Sequence, residues 1–277
     1  MLPSYATRPG QGSHAVGWPF PWLLLRYSGM AAGWACRRGQ WPALLVAVVL
    51  ALAACAAQEE LPPPLSVTAV PWGPQEEARY LLLDTKGREA GRGTLTIQRQ
   101  DSGWLLGQRY EGPGATDEIA LTAKADLSPV RMERRVEDQE GELTIEALYG
   151  GGNLAITWRS GEEERHRELT VLPDTYDNAT SLFLWRAIPF APDYEASYSS
   201  LTSVLRVEKP RRVSVRLRVT AREVIEVPAG SFEAWRVEAQ APDRRHVAWY
   251  AVAGSHPLVQ YDSGTILFRL ESLTPKP

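Results

Sequence analysis

Two cysteines and four histidines in 277 residues leave no material for a disulfide framework and hardly any for a His/Cys metal cluster. Positive charge is not in excess either. The 30 Lys+Arg stand against 33 Asp+Glu, a net of -3, so no basic surplus exists to neutralise a phosphate backbone, and nucleic acid is set aside as a partner. Chemical motifs are missing as well. No histidine pair has the spacing of a helical zinc site, no Gly-x-Ser-x-Gly elbow occurs, and Gly150-Gly151-Gly152 lacks the Lys-Ser/Thr that follows a phosphate-cradling loop. No cofactor and no metal are expected. What is present is apolar material, 44% of the chain, which suffices for one sizeable core and excludes disorder throughout.

The N-terminal region reads as an export signal. Arg37 and Arg38 precede an uncharged apolar run from Ala43 to Ala54, and the run ends in Leu52-Ala53-Ala54-Cys55. A basic region, an apolar stretch and small residues stand in the order of a signal peptide. Twelve helical residues rise only about 18 Å, short of the roughly 30 Å hydrocarbon core, so a permanent span is the weaker reading. The Leu-Ala-Ala-Cys ending resembles the lipobox of bacterial lipoproteins. In that family the cysteine is alkylated with diacylglycerol and becomes the first residue of the mature chain, which implies lipid attachment at Cys55 and a membrane partner through it. The other reading is an ordinary secretory signal with a chance cysteine. Arg37-Arg38 is not followed by a twin-arginine consensus, which favours general secretion. Residues 1–29, with four scattered prolines, look unlike a signal and are read as an upstream extension; Met30 then starts a signal over residues 30–54.

Removing the first 54 residues removes four of the 30 basic residues and no acidic ones, so the exported part is mildly acidic. Residues 55–76 read as the lipidated cysteine and a linker, in which Leu61-Pro62-Pro63-Pro64 favours an extended, semi-rigid spacer. Residues 77–277 read as one β-rich domain. Val213, Val215, Leu217 and Val219 alternate with Ser214, Arg216, Arg218 and Thr220, the pattern of a strand with one wet face. Leu143 to Tyr149 and Leu154 to Trp158 repeat it around a glycine turn, a hairpin signature. Further strands are expected at 79–84, 93–99, 104–111, 118–125, 130–137, 166–171, 223–227, 232–239, 246–252, 258–261 and 265–273. A single helix is predicted over Asn178 to Ile188, capped by Asp177 and stopped by Pro189. Its apolar residues cover most of its faces, so it must be buried, most simply in the concavity of a curved sheet. The fold class is therefore mainly β: a curved antiparallel sheet or open half-barrel meander with one short helix packed in its concave side.

Three stretches carry a family likeness. They are Leu172-Pro173-Asp174-Thr175-Tyr176-Asp177-Asn178-Ala179-Thr180-Ser181-Leu182 with Leu184-Trp185-Arg186-Ala187; Val227-Pro228-Ala229-Gly230-Ser231-Phe232; and Trp249-Tyr250 with His256-Pro257-Leu258-Val259. Together they resemble the bacterial envelope family called domain of unknown function 3108, over about residues 76–273. The resemblance implies a secreted β-rich domain without established activity. By analogy of architecture alone it also points to the half-barrels that carry lipoproteins and hold acyl chains in a greasy concave sheet plugged by helices.

The leading functional expectation is non-catalytic binding of lipid or another apolar ligand outside the cytoplasm. Leu182, Phe183 and Trp185 of the helix, with Trp158, are the candidate pocket wall; the same residues would equally fill a core. Two other readings stay open: a structural or assembly partner of another envelope protein without a small ligand, and a hydrolase with an unidentified site. His166, His246 and His256 read as surface or strand-end residues, Glu162-Glu163-Glu164 as a solvated loop, and Asp174 and Asp177 as turn and capping residues.

Overall fold

The structure, a computed structural model, describes residues 61–202 and 210–276. Its strands are β1 (Gln75–Asp84), β2 (Glu89–Gln100), β3 (Gly103–Gly112), β4 (Ala115–Lys124), β5 (Pro129–Asp138), β6 (Gly141–Gly150), β7 (Asn153–Ser160), β8 (Glu163–Thr170), β9 (Thr175–Asp177), β10 (Glu195–Thr202), β11 (Arg211–Val227), β12 (Gly230–Ala241), β13 (Arg244–Ala251), β14 (Leu258–Asp262) and β15 (Ile266–Lys276). All fifteen form one sheet in the order β8-β7-β6-β5-β4-β3-β2-β1-β15-β14-β13-β12-β11-β10-β9. Two runs of sequence neighbours are thus joined where β1 meets β15. Every pairing is antiparallel except β9 with β10, and β8 and β9 remain as separate edges, so the sheet is curled without closing.

Alternation decides which face is inside. Tyr80 and Leu82 of β1, Leu95 and Ile97 of β2, Trp104 and Leu106 of β3, and Val215, Leu217 and Val219 of β11 are buried on the concave face. Arg and Glu side chains pair across the convex face, as in Arg109 with Glu118 and Arg135 with Glu142. Register shifts in β1 at Arg79/Tyr80, in β4 at Thr122/Ala123 and in β11 at Val219/Ala221 mark irregularities that bend their strands and help the sheet curl. The edge strand β8 exposes all of its charged residues, which discourages pairing with another chain.

Into the concavity drops one helical segment. Asn178–Thr180 and Trp185–Ala187 are 3-10 turns flanking helix α1 (Ser181–Leu184). Ala179 to Ile188 are all buried, as a stretch apolar on most faces requires. Asp177 caps the start through Ala179 N–H at 2.8 Å, and the chain turns extended at Ile188, just before Pro189.

Several features differ from the sequence reading, among them Glu163 and Glu164, expected in a solvated loop, which open β8 with their side chains exposed. The stretches at 213–220 and 223–227 are one seventeen-residue strand, β11, with its irregularity next to Thr220. Strands β9 and β10 were not anticipated, because β10 alternates Ala196, Tyr198 and Ser200 inward, a face too small and polar to register as apolar period two. Over its described part, the segment read as a linker is docked: Leu65 N–H donates to the Ser197 carbonyl at 2.8 Å, Ser197 N–H returns a bond to Pro63, and Leu65 and Trp72 are buried. Cys55 and the signal lie outside the described residues.

Candidate functional site

The helical segment is stapled to both halves of the sheet. Toward β3 and β6, Gln108 Nε2 donates to the Ala179 carbonyl and the Tyr149 hydroxyl donates to Asp177 at 2.5 Å. Toward the other half, Tyr250 donates to the Leu182 carbonyl at 2.7 Å and Trp185 Nε1 donates to the Tyr198 hydroxyl at 2.9 Å. Arg186 makes a two-pronged bond to Glu76 at 2.6 and 2.8 Å, and adds the carbonyl and hydroxyl of Ser255 at 2.8 and 2.9 Å. Its guanidinium also lies 5.2 Å over the Trp72 ring. Both members of this ion pair are about 5% exposed, so its bonds are made away from water, where each lost partner costs most.

Between the helix and the sheet remains a cavity of about 180 Å³. Its aromatic wall is Trp185, Tyr198, Tyr261, Phe268 and Tyr110, with His246 among them. Trp185 lies 6.3 Å from Tyr261, and Tyr261 sits edge-on to Phe268 at 5.2 Å. Leu182, Ile119, Met132, Val213, Val215 and Ile266 add to the apolar lining. At the end where β11 begins and where β12–β13 and β14–β15 connect, Arg211, Asp243, Arg244 and Ser263 border it.

The polar atoms of this wall mostly satisfy one another. Tyr110 donates to Gln108 at 2.6 Å, and the Tyr261 hydroxyl meets His246 Nδ1 at 2.9 Å. Arg134 holds Asp117 by two bonds at 2.8 and 2.6 Å, and Arg211 pairs with Asp243 at 3.0 Å. Burial pushes the Tyr198 hydroxyl up to about 12, and Tyr110 and Tyr261 also rise, so the phenols are neutral donors at physiological pH. Asp177 is likewise raised by burial, against the pull of Tyr149, the Ala179 N–H and Arg134. A buried carboxylate of this kind is a mark of catalytic acids, but here one oxygen caps the helix and the other accepts from Tyr149, which is a structural assignment.

Of the histidines read as surface or strand-end residues, His246 lies near the start of β13 but not at the surface: it is 9% exposed and faces the cavity. Burial, with Arg244 nearby, lowers it to about 4, against the weaker pull of Asp262 and Asp243. The unfolded chain takes this proton near 6.5 and the folded protein only near 4, so the unfolded state binds more protons in that window and stability falls as pH drops through it, by about 3 kcal/mol. We expect His246→Gln to lose about that much less stability than the parent between neutral pH and about pH 4, read from urea unfolding at each pH; equal losses would contradict the assignment. His166 is exposed on β8, and His256, half-buried at φ 52°, packs edge-on against Phe190 at 5.0 Å.

Of the residues expected in a pocket wall, Leu182 and Trp185 line the cavity. Phe183 points elsewhere in the core, edge-on to Trp72 at 6.5 Å. Trp158 is half-buried on β7 against the core and does not border the cavity. Residues that sequence reasoning missed are Ser200, Tyr198 and the Arg186–Glu76 pair. Arg186, the one charged residue in 178–188, was the signal available for the last. Among the described residues no cluster of three or more His, Cys, Asp or Glu could hold a metal ion, and no helix is long and apolar enough to cross a membrane.

No curated protein matches this chain significantly. A crystal structure of a DUF1089 family protein from Pseudomonas aeruginosa is similar at 15% identity and a TM-score of 0.34, over 70% of this chain and 92% of that one. The hypothetical lipoprotein YmcC of Escherichia coli is similar at 12% identity and a TM-score of 0.31, over 86% of this chain and all of that one, 100%. Scores of this size describe a loose likeness of shape and transfer no property to this chain. A family model does match, over residues 77–263, and by it the chain belongs to the family of proteins of unknown function DUF3108.

Proposed function

We propose that this protein is exported, anchored to a bacterial membrane through a lipidated Cys55, and binds a small apolar-bodied ligand in the cavity beneath the helix without catalysis. The single observation that carries the binding reading is the cavity itself: about 180 Å³, walled by aromatic rings whose polar atoms are mutually bonded. An apolar cavity of roughly 150 Å³ is enough to hold benzene, whereas whole drug-sized ligands occupy about 300 Å³ or more. The site therefore suits a ring or one short chain rather than a multi-chain lipid. The large apolar side chains exposed among the described residues, Leu61, Val130, Leu148, Leu172 and Val224, come from separate elements, which gives less support to a docking face.

The test is native mass spectrometry of the exported chain carrying Cys55→Ser, taken without detergent, beside the same chain with Val213→Trp. Val213 is a half-buried cavity residue on β11, where tryptophan suits a strand and fills the space. A non-covalent adduct of octanol or toluene on the parent that is absent from Val213→Trp supports binding. An equal adduct on both, or none on either, overturns it. Metabolic labelling with an alkyne palmitate tests the anchor, with label expected on the parent chain and none on Cys55→Ser.

A further inference from the structure

Resting on that reading, we propose that the ligand is a single-chain amphiphile with an uncharged hydrogen-bonding head, its head on Ser200 and its chain against Trp185, Tyr261 and Phe268. Four buried side-chain polar atoms lack a partner among the described residues: Trp72 Nε1, Thr175 Oγ1, Thr180 Oγ1 and Ser200 Oγ. Ser200 alone of these residues borders the cavity. It is 2% exposed, and a hydroxyl so placed is costly to leave unbonded.

Register shows why it faces inward. Ser200 follows Ala196 and Tyr198 on the concave face of β10, opposite Val213 of β11, while Tyr198 lies opposite Val215. The strand thus steps from Tyr198, whose hydroxyl accepts from Trp185, to Ser200, whose hydroxyl has no such engagement, toward the end bordered by Arg211. Asn178 also lines the cavity next to Asp177, which pairs with Leu201 in the β9–β10 ladder. Hydrogen-bonding capacity and an aromatic wall therefore meet in one space.

The head is uncharged because the charges there are already engaged. Arg134 is held by Asp117, Arg211 by Asp243, and Asp177 by Tyr149 and the Ala179 N–H; Arg244 has an interaction of its own as well. A charged head would lose water without gaining a free counter-charge. A hydroxyl, ester or amide needs only the donor and acceptor that a serine supplies.

Isothermal titration of the exported Cys55→Ser chain with 1-octanol, monooctanoylglycerol, octanoate, octylammonium and 1-chlorooctane tests this, repeated on Ser200→Ala and Val213→Trp. Octanol is expected to bind at least about tenfold more tightly than either charged probe. Ser200→Ala should weaken octanol about five- to tenfold and leave chlorooctane unchanged. It should also keep or raise the thermal midpoint of the free protein, since no internal bond is lost; a fall of several degrees would mean that Ser200 serves the fold, and would overturn the proposal. Monooctanoylglycerol matching octanol assigns a glycerolipid fragment; octanol alone assigns a smaller alcohol or amide. Equal binding of all probes with no effect of Ser200→Ala overturns the head assignment while the cavity reading stands. Binding of none overturns both.

Discussion

Glu76→Gln is expected to be among the most damaging single substitutions in the domain, costing about 3–5 kcal/mol of unfolding free energy, because it leaves the Arg186 guanidinium buried without its carboxylate. The pair spans the fold: Glu76 is the second residue of β1, Arg186 lies near the end of the helical segment, and Ser255 lies between β13 and β14. The attraction itself contributes less than this loss suggests, since both charges were removed from water to form it. Glu76→Leu together with Arg186→Met should therefore recover much of the stability lost by either change alone, apart from the contact with Trp72, worth about 0.5–2 kcal/mol. Equilibrium unfolding in guanidinium chloride of the two single variants and the double reads this coupling. Single variants within about 1 kcal/mol of the parent would show that the pair is not buried as described.

Trp185→Ala is expected to cost about 3–5 kcal/mol and to alter the cavity at once. The indole packs near His246 and Tyr261, with ring centroids 6.2 and 6.3 Å away, and donates to Tyr198. Its removal enlarges the space under the helix and takes from Tyr198 its nearer partner, leaving Ser181 at 3.3 Å. The variant should unfold earlier in guanidinium chloride yet bind an apolar probe too large for the parent cavity, such as pyrene, more tightly than the parent does. Trp185→Phe separates the two effects by keeping most of the packing and removing only the N–H. Should Trp185→Ala unfold like the parent and bind the same probes, the indole would not form the cavity wall.

The architecture was legible because alternation is a local property. Val213 to Thr220 announces a one-sided strand in eight residues, and the curved sheet with a buried helix follows from many such segments around one stretch apolar on most sides. Asp177 as helix cap and Pro189 as stop were equally local. Strand β10 was not legible, since its inward face carries Ala196, Tyr198 and Ser200, and only the tertiary setting makes that serine an interior residue. The same limit hid the site. Leu182 and Trp185 could be named from the helix, but Phe183 and Trp158 are as aromatic and line other parts of the core. Sequence leaves His246 as a surface or strand-end residue, because nothing adjacent shows that Tyr261, from the neighbouring strand, covers it. Glu76 and Arg186 are 110 positions apart, beyond the reach of any local pattern.

In our proposal the space between the helix and the aromatic wall is a ligand site rather than a packing defect. The most direct measurement is the crystal structure of the exported Cys55→Ser chain soaked with 8-bromo-1-octanol, with bromine located by anomalous scattering. One bromine peak is expected in the cavity beside Trp185, Tyr261 and Phe268, with the hydroxyl within hydrogen-bond distance of Ser200 Oγ and no peak in Val213→Trp. An empty cavity with bromine only on the outer faces, or a cavity peak that persists in Val213→Trp, would contradict it.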